Sequence, residues 1–228
     1  MIDLLKLPLP QCIITHIASL PRYRLQDVAS DNPLAATAYA GLMLGKDGYA
    51  LAYGDPINNL TLTEQAFVIL HEYAHLAYGH LPYAIKGKLD PALWNVACDA
   101  WINAAHDDSM MQKLGAITYP ALRAVCPTLP PRLPSPRYIY DILIASGHEQ
   151  LKGLGKDVLI LSDGTEPNCG KAALEQLTAR AAIREALEGA NCPQALRDML
   201  EQLKGAASGT RVTVSLQGAP IPCAWLSA

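Results

Sequence analysis

His71, Glu72 and His75 stand in the order H-E-x-x-H within "TLTEQAFVILHEYAHLAYGH", residues 61 to 80. Successive residues on a helix advance by about 100°, so side chains four apart leave the same face one turn apart. Two imidazoles so placed can share a tetrahedral Zn²⁺. Glu72, beside the first of them, is suited to take a proton from a water such an ion activates and to pass it to a leaving amine. From the histidine and glutamate content of this chain, the pattern arises by chance in about half a percent of such sequences. Its neighbours are apolar, and buried imidazoles there need partners. Zinc binding is therefore the expectation, over an ordinary core helix that carries two histidines.

A third ligand is sought downstream. His80 is near, but on a continued helix it points about 140° from His75 and about 180° from His71. Only a sharp bend at Gly79 would bring it back. The stretch "LDPALWNVACDAWINAAHDD" offers more. Asn95, Asp99, Asn103 and His106 fall four, four and three apart, a polar stripe on an otherwise apolar helix. Polar groups facing a core need a reason, and a metal with its hydrogen-bonded surroundings supplies one. The alternative is a stripe facing solvent. Asp99 is the expected third ligand, with His106 and then His80 as alternatives. Asn95, Asn103 and His106 are the expected groups for orienting ligands or contacting substrate. His106 or one of Tyr78, Tyr119, Tyr138 and Tyr140 would stabilise an oxyanion.

The elements that must position these residues are legible in part. Thr61 and Glu64 have the spacing of a capping box and Gly79 suits a C-cap, so the first helix runs from about 61 to 79. A Gly- and Lys-rich loop is expected after it. Asp90 as N-cap and Pro91 at the first helical position start a second helix, to about 107. Upstream, "TAYAGLMLGKDGYALAYGD" reads as a β-hairpin turning at "GKDG". Residues 1 to 34 read as a helical lead-in. Ser135-Pro136 opens a short helix, "VLIL" a strand, and 171 to 205 two helices broken at "GANCP". "RVTVSLQG" is a candidate terminal strand.

Composition sets the frame. The 228 residues are 50% hydrophobic and 17% charged, which indicates a globular chain. A net charge of -3 gives no basic footprint for nucleic acid or anionic membrane. No apolar run approaches the roughly 20 residues of a membrane span. The N-terminal stretch lacks the pattern of a signal peptide, so a cytoplasmic protein is expected. The six cysteines form no C-x-x-C pair and are expected as reduced thiols.

"ILHEYAHLAYGH" followed by "DPALWNVACDAWINAAH" resembles the bacterial metallopeptidase domain found N-terminal to von Willebrand factor A-like (VWA) domains. The matching positions are His71, Glu72, His75 and His80, then Asp90, Pro91, Trp94, Asn95, Ala97, Asp99 and Asn103. "PRYIYDIL" and "CPQALRDMLEQL" extend the likeness over most of residues 35 to 205. The resemblance implies an α+β, zincin-like fold, mainly helical, with a small hairpin or sheet beside the active-site helix. Residues 1–150 are expected as the metallopeptidase domain, with 151–228 as a helical extension packed on it. Proteins of this type tend to be encoded near AAA+ ATPases, so an AAA+ ATPase or VWA-domain protein is an implied partner. No VWA-like half follows here, and a stand-alone member or a fragment is expected.

Three functions compete. The first is a zinc peptidase acting on a peptide or protein substrate, with Glu72 as general base. The second is a non-proteolytic zinc module within a larger assembly, which gives Glu72 no task. The third is a metal-free helical interaction protein.

Overall fold

The computed structural model describes residues 2–29, 31–32, 34–105, 108–152, 157–161, 167–189, 197–198 and 200–201. Its sheet grows from the hairpin read in the sequence. Strands β1 (Arg22–Arg24), β2 (Ala40–Gly45), β3 (Gly48–Tyr53) and β4 (Asp157–Leu161) lie in the order β1-β3-β2-β4. β2 and β3 are antiparallel, from Gly45↔Gly48 at the turn to Ala40↔Tyr53. Gly48 takes φ +86°, which a side chain resists. A Cβ there would also stand 2.7 Å from Glu175 Oε2, the atom that accepts the Tyr49 amide at 2.7 Å.

The "VLIL" run is strand β4, parallel to β2 from Ala40↔Asp157 to Leu44↔Leu161. At the other edge β1 runs parallel to β3. This strand corrects the all-helical reading of residues 1 to 34. Helix α1 (Gln11–Ser19) stops before Pro21, whose carbonyl takes the Leu51 amide at 3.0 Å, and helix α2 (Leu25–Val28) follows. Every β3 residue is buried, as befits a strand with partners on both sides.

Helix α3 (Leu62–Tyr78) starts at the expected capping box: Thr61 Oγ1 accepts from the Glu64 amide, and Glu64 Oε2 from the Thr61 amide. Gly79, at φ +73°, ends it. The expected loop does not follow, because α4 (His80–Gly87) begins at the next residue. The left-handed glycine redirects the chain, and a buried Leu81 and Ala84 give the new helix an apolar face. Helix α5 (Pro91–Ile102) opens on Asp90, whose Oδ1 accepts from the Ala92 and Leu93 amides. It passes into a 3₁₀ turn at Asn103, short of the expected end near 107.

Helices α6 (Asp108–Leu114), α7 (Tyr119–Val125), α8 (Pro136–Ala145) and α9 (Cys169–Glu188) complete the fold. The described residues are thus mainly helical with one small mixed sheet, an α+β arrangement. Two large apolar clusters form. One joins α1, the sheet, α3 and α9; the other joins α5, α7 and α8 around Trp94 and Tyr140. Residues beyond 150 share the first: β4 belongs to its sheet, and Ile183 of α9 is fully buried in it. Arg197, Asp198, Leu200 and Glu201 are helical, whereas the "RVTVSLQG" expectation lies outside the described residues.

Among the described residues no helix is long and apolar enough to cross a membrane. Cys12, Cys98 and Cys126 form no disulfide. Cys169 is disulfide-bonded, which departs from the expectation of reduced thiols throughout.

Candidate metal centre

The capped helix α3 carries His71 and His75 on one face, with ring centroids 4.8 Å apart and their Nε2 atoms at 3.0 Å. Asp99, from the middle of α5, faces them. Its Oδ1 lies 3.1 Å from His75 Nε2 and 3.4 Å from His71 Nε2. Among the described residues these three offer converging ligand atoms, all within 4.8 Å of one another. His75 and Asp99 are buried, and His71 is nearly so. Asp99 Oδ1 accepts no hydrogen bond among the described residues, although two ring nitrogens stand beside it. Buried carboxylate oxygens seldom lack a partner. A tetrahedral ion with ligand bonds of roughly 2.0–2.1 Å separates its ligand atoms by about 3.3 Å. The observed triangle of 3.0, 3.1 and 3.4 Å fits such an ion.

Asp99 and His71 are held from behind. Asn95 Nδ2 donates to Asp99 Oδ2 at 3.2 Å, which leaves Oδ1 facing the rings. Asn103 Nδ2 donates to the Ile117 carbonyl at 2.9 Å, so its Oδ1 is the atom that meets His71 Nδ1 at 3.1 Å. An amide oxygen only accepts, so His71 carries its proton on Nδ1 and directs the lone pair of Nε2 at the triangle. Asn95, Asp99 and Asn103 are all buried, so the stripe faces inward.

Residues 34–208 match a family whose members are described as "Putative metallopeptidase domain". The chain belongs to this metallopeptidase-domain family. No curated protein and no solved structure matches it.

Other candidate residues of the metallopeptidase domain are placed as follows. Glu72 is fully buried on α3 and stands outside the convergent set. His80 also stands outside it. The bend at Gly79 turns its ring back, and its Nδ1 meets His75 Nδ1, the nitrogen remote from Asp99, at 3.1 Å. Burial, then the neighbouring His75 and His71, hold His80 well below the usual histidine range. His106 and Asp163 lie outside the described residues.

Of the tyrosines named for an oxyanion, Tyr119 donates to the Pro130 carbonyl at 2.7 Å and Tyr140 accepts from the Asp90 amide at 2.9 Å. Tyr78 stacks on His80, and Tyr138 is half exposed. Tyr53 was not foreseen. Its hydroxyl is buried at the end of β3 with no hydrogen-bond partner among the described residues. Burial, with a further push from the Glu72 charge, raises its pKa above the ordinary phenol value. Only the β-prone pattern around it was visible in the sequence.

Proposed function

We propose that the protein is a zinc-dependent peptidase of the zincin type, hydrolysing peptide bonds in a peptide or protein substrate. The triangle of two Nε2 atoms and one carboxylate oxygen carries this reading, and membership in the metallopeptidase-domain family supports it. Two imidazoles and a carboxylate suit Zn²⁺, and three protein ligands leave its fourth position for water or substrate. His71, His75 and Asp99 would hold the ion. When bound, it supplies Lewis acidity that polarises the scissile carbonyl and eases the loss of a proton from water.

The remaining work falls to the chain. Glu72 takes the water's proton on a carboxylate oxygen and returns it to the nitrogen of the leaving amine. Asn95 and Asn103 keep Asp99 and His71 aimed, and burial strengthens each of these interactions by excluding bulk water.

Metal analysis of purified wild type beside His75→Ala and Asp99→Ala tests the site. One zinc per wild-type chain, lost in both variants, is expected. Retention of full zinc in Asp99→Ala would remove the carboxylate from the ligand set. Digestion of casein or a peptide library, with Glu72→Gln as control, tests the reaction. Equal cleavage by wild type and variant would take Glu72 out of its role.

A further inference from the structure

His80 has no place in the ligand triangle, yet its surroundings hold it firmly. Gly79 breaks α3 at φ +73° and α4 starts at once, so the His80 ring lies back over the last turn of α3. The ring stacks on Tyr78, with centroids 5.6 Å apart and planes 11° apart, and meets Trp94 edge-on at 5.9 Å. Trp94 Nε1 donates to the His80 carbonyl at 2.9 Å, which ties its backbone to α5. The residue is buried, and its Nδ1 faces His75 Nδ1 at 3.1 Å.

Two ring nitrogens at that distance share one proton: one ring donates and the other accepts. Were His80 the donor, neutral His75 would carry its own proton on Nε2, inside the triangle. That proton would serve His71 Nε2 at 3.0 Å, and His75 would then have no lone pair left for a metal. With His75 as donor, Nε2 turns a lone pair toward Asp99 and His71. On the His71 side Asn103 already imposes that tautomer. We propose that His80 is a positioning residue: it accepts the Nδ1–H of His75 and so holds His75 in the tautomer whose Nε2 can ligate a metal. His80 then carries its own proton on Nε2. This role rests on the metal reading of His71, His75 and Asp99.

The tautomer is read directly from long-range ¹H–¹⁵N correlations of the histidine rings in the full ¹⁵N-labelled chain, without zinc and with zinc. In the zinc-loaded chain His80 is expected with Nδ1 unprotonated and Nε2 protonated. A proton on His80 Nδ1 overturns the proposal. Competition with a chromophoric chelator gives the second readout, on variants whose folding is checked by circular dichroism. His80→Gln keeps an oxygen that can accept from His75, and its zinc affinity stays within about threefold of wild type, whereas His80→Leu loses about 10–100-fold. Equal losses in the two variants would make His80 mere packing, and wild-type affinity in His80→Leu would deny it any role. Should wild type take up no zinc, the metal reading falls and this role falls with it, whereas a proton on His80 Nδ1 in a chain that holds zinc at the triangle overturns this role alone.

Discussion

Asn103 shows how a single amide decides what an imidazole can do. Its nitrogen is committed to the Ile117 carbonyl, so its oxygen must face His71 and the His71 proton must sit on Nδ1. Asn103→Ala removes that constraint, and zinc affinity is expected to fall by about 10–100-fold in a chelator competition. An unchanged affinity would show that the His71 tautomer needs no support. The spacing of Asn95, Asp99 and Asn103 was legible because four-residue steps on a helix are a local regularity. The direction of the Asn103 amide was not, because it depends on a loop carbonyl fourteen residues on. The position of the His80 ring beside His75 was not legible for a related reason. Angular arithmetic assumes one continuous helix, and the φ of Gly79 alone changes where the next ring lands.

At the scale of elements, α3 is anchored where its start is capped. Glu64 serves three partners: the Lys113 ammonium of α6, the Thr61 hydroxyl and the Thr61 amide. The hydrogen bond from Lys113, then those from Thr61, pull its carboxyl from an ordinary 4.5 to about 2. A carboxylate whose pKa is lower in the folded chain stabilises it fully above the unfolded value and ceases to do so as pH falls through the folded one. Thermal midpoints should therefore decline between pH 4.5 and about 2. Glu64→Gln should be less stable at neutral pH and flatten that part of the profile. Parallel profiles for the two proteins would deny Glu64 the role. The capping box, the hairpin turn and the Asp90–Pro91 start were readable because each is written within a few adjacent residues. Strand β1 and the sheet order were not, since Arg22–Arg24 is strand only by virtue of β3, some thirty residues later.

For the whole molecule, what matters is that the ligand triangle bridges two cores. His71 and His75 ride on α3, built into the cluster with the sheet and α9, while Asp99 rides on α5, built into the cluster around Trp94 and Tyr140. Outside the triangle, α3 and α5 also meet through His71 and Asn103, through Tyr78 and Trp101, through Ile102 in the first cluster, and by α4 through His80 and Trp94. An ion held by both helices would tie the two clusters, and it would bind the folded chain only, because the unfolded chain does not bring the three ligands together. Free zinc at a hundred times its dissociation constant then stabilises by about 2.7 kcal/mol. For a chain of 150–250 residues that corresponds to a rise in melting temperature of roughly 5–10 °C. Melts with zinc and with a chelator should differ by this amount in wild type and coincide in Asp99→Ala. A wild-type chain that carries stoichiometric zinc yet melts identically with and without it would place the metal somewhere other than between α3 and α5.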